Sequence, residues 1–354
     1  MLGFSSRAFH RGIPYKMFDR EHYGLEAKNA HILERVYYKG QANVWDGKEV
    51  LGSLLERFGK PQVPEETKRA LKRVFAIILW GELAAWRISA ELADEIEPLE
   101  AKMAATSQAF DEARHFYVMH DYLQALDATP DRLDWGPRRL LEEVMNADHL
   151  AKKLLGMQLM VEPIALTLFH VVKKLDIEPV LTHLLPYYER DESRHVALGV
   201  QYLPAMLSRM SALERAELWA FQAKLLTYEV VSNYWVANDL YHLGINPREL
   251  LDIGKAKQFR AMELVVPKWG QVSNLPSFVV GRYVECMGEL SLPAGGKPLP
   301  LRERVGNAWR ALRHGGEPVT LDLIPEIPDD AVPLIHREQE KPAKKARLSV
   351  ASAA

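Results

Sequence analysis

Asp111-Glu-Ala-Arg-His115 returns eighty residues later as Asp191-Glu-Ser-Arg-His195, and these two pentapeptides decide the fold. Glu and His three residues apart share one face of a helix, so each copy offers a carboxylate and an imidazole to one point. Two such helices facing each other supply half the helices of a dinuclear metal site. The other two helices should each bring a lone glutamate. Glu82 stands thirty residues before Glu112, and Glu162 thirty before Glu192. The six candidate ligands therefore obey one offset of eighty: 82/162, 112/192 and 115/195.

Four long helical segments carry these residues. The first spans 64–97, opening on Pro64-Glu-Glu and stopping at Pro98. The second covers 99–126, the third 138–175 and the fourth 177–207. Each is roughly 40–45 Å long at helical rise. Short connections predict antiparallel neighbours, an up-and-down four-helix bundle over 66–207. The offset of eighty fits either a duplicated helix hairpin or two hairpins of equal length meeting at one level. Around this all-α core, 1–65 reads as a preamble with short helices at 20–37 and 48–58, parted by a turn-prone stretch at 39–43. Accessory helices are expected at 212–238 and 247–264, within 208–266. The remainder, 267–354, reads as an irregular C-terminal extension with a short helix at 301–314 and disorder near its end.

Composition narrows the class. Nearly half of the 354 residues are apolar, enough for a substantial core, and a net charge of −2 argues against nucleic acid as a partner. Cys286 is the only cysteine, so no intrachain disulfide forms. No run of eighteen apolar residues predicts a membrane span, and the first residues lack the apolar run of a signal peptide. A cytoplasmic location is the expectation.

Glu82 and Glu162 lie on largely apolar stripes, among Ile78, Leu79, Ala85 and Leu155, Leu159, Ala165 respectively. Four buried carboxylates at one level need cations, and four acids with two imidazoles suit two iron or manganese ions. Asp111 and Asp191 precede ligands and are placed to accept from the outer imidazole nitrogens, while Arg114 and Arg194 can pair with those acids across the bundle. Small residues near the ligands (Ala85, Ala109, Ala165, Gly199) suggest either a void walled by Trp86, Phe116, Met119, Phe169 and Val196, or simply close helix approach. Gln108, Gln158, Tyr188 and Glu189 fall near core-facing positions. His120, His149, His170 and His183 are further possible ligands, though each alone more often caps a helix or faces water. Pro163, directly after Glu162, removes a helical donor and should leave the Leu159 carbonyl without its partner.

The E…DEARH…E…DESRH pattern resembles that of the ferritin-like carboxylate-bridged diiron proteins. Its Asp and Arg resemble most those of bacterial multicomponent monooxygenase hydroxylases and the aerobic diiron cyclase of chlorophyll synthesis. The resemblance covers about 66–207. It implies that Glu82, Glu112, His115, Glu162, Glu192 and His195 hold two Fe ions, or a Mn/Fe pair, and that Asp111, Arg114, Asp191 and Arg194 surround them. It also implies a non-haem diiron oxygenase or oxidase that uses O2 to hydroxylate, desaturate or N-oxygenate a small or lipid-like organic substrate. An external ferredoxin or reductase would supply electrons, since the chain carries no flavin or iron–sulfur motif, and a homodimer is expected. The alternative is a ferroxidase or metal-handling protein. Two positions depart from relatives of this kind: Leu166 and Thr167 straddle the place of an oxygen-side Thr, and Met119 stands where radical-generating subunits carry Tyr.

Overall fold

In a computed structural model of the protein, residues 25–265, 275–293 and 299–315 are described, and all regular structure among them is helical. The chain is therefore all-α. Expectations for the first residues and for the tail beyond 315 lie outside the described residues.

Helices α1 (Leu25–Ala42) and α2 (Gly47–Phe58) precede the long α3 (Glu65–Glu95) and α4 (Leu99–Ala125). Then come α5 (Trp135–Met145), α6 (Leu150–Leu175) and α7 (Pro179–Arg209). The remaining helices are α8 (Ala212–Trp235), α9 (Ala237–His242), α10 (Pro247–Val265), α11 (Leu275–Ser291) and α12 (Leu301–His314). The boundaries follow local chemistry. Pro64 and Pro98 open α3 and α4, and the Glu178 side chain accepts from the Val180 and Leu181 amides ahead of Pro179. Ser211 and Glu214 close a reciprocal capping box on α8.

Two apolar clusters set the direction of each long helix. One gathers Leu71, Phe75, Leu123, Val172 and Leu181; the other gathers Ile88, Leu92, Ala101, Leu154 and Leu203. Helix α3 runs from the first cluster to the second, α4 back again, α6 from the second to the first, and α7 back. Helices α4 and α6 are thus parallel, and the up-and-down expectation fails at that step. The reason is a break in the third predicted helix. At Asn146 the side chain bonds the Glu142 carbonyl and at His149 the ring accepts from the Ala151 amide, so polar caps end α5 and restart the chain as α6. Helix α5 is then the crossover that carries the chain from one apolar cluster to the other.

Three further boundaries depart from the sequence reading. Helix α1 continues through the turn-prone 39–43 stretch to Ala42. Helix α11 occupies part of the stretch expected to be irregular; its Val280 and Val284 are buried, and Tyr283 hydrogen-bonds Thr227 of α8 at 2.7 Å. Helix α6 carries a π-helical turn at Met157–Val161, where the Glu162 amide donates to Met157 O, five residues back. The turn adjoins Pro163, whose ring denies the ladder a donor, and Gln258 of α10 supplies a side-chain donor to Met160 O at 3.1 Å. Leu150–Leu175 is long and apolar enough to cross a membrane, yet 72% of its apolar window is buried inside the protein, as a core helix requires.

Candidate metal centre

Glu82, Glu112, Glu162 and Glu192 each lie between the two apolar clusters on α3, α4, α6 and α7, and all are buried. His115 and His195 join them at the same level. His115 Nδ1 is 3.0 Å from Glu192 Oε1, 3.4 Å from Glu82 Oε2 and 3.6 Å from Glu112 Oε2. His195 Nδ1 is 3.0 Å from both Glu112 Oε1 and Glu192 Oε2. Two groups capable of holding a metal ion result: Glu82, Glu112, His115 and Glu192, and Glu112, Glu162, Glu192 and His195. Glu112 and Glu192 belong to both, and each turns one oxygen to either imidazole. That is the arrangement of bridging carboxylates. Spacings of roughly 3 Å between donor atoms match the edges of a coordination shell with bonds near 2.1 Å.

Glu112 Oε2, His115 Nδ1 and Glu192 Oε1 are buried and have no hydrogen-bond partner. Orphaned buried polar atoms are costly, and three converging on one point fit a bound cation. Burial pushes Glu82 and Glu162 well above the carboxylate range, and the nearby Glu192 charge adds to it. Burial acts on Glu112 and Glu192 in the same sense, but the imidazoles overcome it: Glu112 lies below its usual range and Glu192 near 2. For His115 and His195 burial favours the neutral ring, yet the surrounding carboxylates raise both well above the usual value. Two divalent ions opposite the four carboxylates would balance their charge.

The surrounding layer is cross-wired. His115 Nε2 is 3.2 Å from Asp191 Oδ2, and His195 Nε2 is 3.4 Å from Asp111 Oδ2, so each pentapeptide's acid serves the other's imidazole. Arg114 bonds Asp111 at 2.5 Å and Asp191 at 2.9 Å; Arg194 bonds Asp111 at 2.8 Å and Asp191 at 2.9 Å. Against their burial, the imidazole each acid faces and the Arg194 guanidinium hold both below the usual carboxylate range. Gln108 donates to Glu112 Oε1 at 2.9 Å and Glu162 Oε1 at 3.1 Å, with Gln158 behind it. The Tyr188 ring stacks on His115 at 4.4 Å, and its hydroxyl donates to the His115 carbonyl.

Sequence reasoning missed Trp45. Its Nε1 donates to Asp191 Oδ2 at 2.7 Å, and the Arg114 guanidinium lies over its ring. The residue stands between two short N-terminal helices, where no periodicity marks it as core. The other candidates lie elsewhere. His149 caps α6, His120 pairs with Asp121, His183 faces the Pro179 carbonyl, and His170 lies 4.0 Å from Glu189. Glu189 itself is ion-paired to Lys173. Thr167 turns its hydroxyl onto Pro163 O at 2.7 Å, back along its own helix.

A cavity of about 80 Å³ opens beside Glu82 and Glu162. Ala85 and Ala165 line it as expected, but Ala109, Gly199 and the five anticipated wall residues Trp86, Phe116, Met119, Phe169 and Val196 do not. At Gly199 a Cβ would lie 2.8 Å from Gln158 Cβ, so that glycine serves close helix approach instead. The walls come from α3, α5, α6, α8, α9 and α10, with Ile78, Leu141, Val161, Leu168 and Leu240 among them. Helix α8 was not assigned this role because it follows the four ligand-bearing helices in sequence. No protein-family model matches the chain, and no curated protein matches it.

Proposed function

We propose that the chain is a ferritin-like, non-haem diiron oxygenase or oxidase. It would oxidise a small or lipid-like organic molecule with O2 and an external electron donor. The observation that carries this reading is the pair of ligand groups sharing Glu112 and Glu192, with an apolar cavity against the outer glutamates of both. When bound, a reduced diiron pair supplies O2 activation. The protein's own residues prepare the rest. Asp111 and Asp191 fix the ring orientation of His195 and His115, and Arg114 and Arg194 hold those two acids in place. Gln108 orients Glu112 and Glu162. The apolar walls keep bulk water away from the side of the cluster where a substrate would rest. The chain crossing between α4 and α6 supports the likeness, since ferritin-like bundles carry one long crossover.

The purified protein should hold two transition-metal ions per chain, iron or a manganese–iron pair. Anaerobic reduction followed by O2 should give a transient absorbance that Glu112→Ala abolishes. A protein that takes up neither iron nor manganese, or that ignores O2 when loaded and reduced, overturns the reading.

A further inference from the structure

The cavity has a second polar end that the metal centre does not use. Glu229 of α8 is buried and lines the same cavity as Glu82 and Glu162. Its Oε2 accepts from Gln258 Nε2 at 2.9 Å. Lys255, the nearest cation, is directed to Asp252 and Glu285. Burial accordingly raises the Glu229 carboxyl to about 7.

Of its polar neighbours on the cavity wall, Ser232 donates to Tyr228 O at 2.6 Å, and Asn233 gives one of its two amide N–H groups to Glu229 O at 3.1 Å. Every ionisable group lining the cavity is an acid, and no Lys, Arg or His is among the lining residues. A carboxylate ligand would meet like charge without a counter-ion. An apolar molecule with a hydrogen-bond-donating head would bond the Glu229 carboxylate and fill the walls. An ammonium adds charge complementarity to that bond.

We propose that this cavity binds an apolar amine, its nitrogen held at Glu229 and its hydrocarbon body extending toward Glu82 and Glu162. The idea deepens the oxygenase reading by naming a substrate class for the same site. Titration calorimetry on the metal-loaded protein with hexylamine, hexan-1-ol and hexanoate tests it. Hexylamine should bind best, and Glu229→Gln should weaken it about tenfold, 1.4 kcal/mol, while leaving hexan-1-ol nearly unchanged. Unchanged alcohol binding also shows that the variant is folded. Val236→Phe, which fills the wall without altering Glu229, should weaken amine and alcohol alike. An amine that binds no better than the alcohol overturns the proposal. So does a preference that survives in Glu229→Gln, which would reflect coordination to the metal. Amine binding without any O2 chemistry would sink the oxygenase reading alone, and O2-dependent turnover of apolar substrates with no head-group preference would sink this one alone.

Discussion

Asp191 is the most connected side chain of the centre. It takes bonds from Trp45, Arg114, Arg190 and Arg194 and faces His115, all in nearly complete burial. Asp191→Ala leaves Arg114 and Arg194 to share Asp111 alone and deprives the Trp45 indole of its acceptor, and breaking a buried ion-pair network from one side costs about 3–5 kcal/mol. Denaturant melts should show that loss. The milder Asp191→Asn should keep the fold but weaken metal binding by roughly 10–100-fold in chelator competition, as loss of an imidazole's acceptor does. The titrations around the ligands carry a sign as well. Glu82 and Glu162 hold protons above their usual range, and so do His115 and His195; all four must shed them to become ligands. Metal uptake therefore releases protons, and affinity rises with pH. Calorimetry in buffers of different ionisation heat should find that release. Uptake without net proton release would contradict the electrostatics described here.

At the scale of helices, the sequence was most legible where periodicity and caps agreed. The limits of α3, α4 and α7 lie close to their Pro and acidic signals, and the six ligands meet as the shared offset implies. Legibility failed where a side chain outcompeted the backbone ladder, as Asn146 and His149 do, because an otherwise helical pattern continues on both sides. It failed again at α11, whose Pro- and Gly-rich surroundings masked an apolar face packed on α8 and α12. The cavity walls were unreadable because α5 and α8 carry none of the ligand signals that place the four long helices. Two glycines test the helix packing with opposite signs. Gly199→Ala drives a methyl to 2.8 Å from Gln158 Cβ and 2.9 Å from Leu159 Cδ2, overpacking that costs about 1–3 kcal/mol. Gly81→Ala meets nothing within 4 Å and should stabilise α3 by up to about 1 kcal/mol. Thermal melts of the two variants should move apart.

For the whole molecule, four long helices are joined at mid-height by a polar layer and above and below it by apolar clusters. Each ligand group spans α4 and α7 and adds either α3 or α6, so a bound pair of ions would touch all four helices and should stabilise the entire fold rather than one hairpin. At a free concentration one hundred times the dissociation constant the gain is about 2.7 kcal/mol. Scanning calorimetry of loaded and stripped protein should show one transition moving upward as a unit. A loaded protein in which only part of the unfolding heat shifts would show that the halves melt independently.

The cross-wiring of the pentapeptides has a consequence for how such a centre can be divided. Asp111 serves His195 and Asp191 serves His115, with both arginines spanning the two acids. The α3–α4 hairpin alone has an imidazole without its acceptor and an acid without half its cations. Because the second pentapeptide repeats the first, exchanging one for the other leaves the wiring diagram unchanged. A solitary hairpin of this type could meet every one of its obligations only by facing a copy of itself across a two-fold axis. The eighty-residue offset is thus the spacing at which one chain plays both partners of a symmetric dimer.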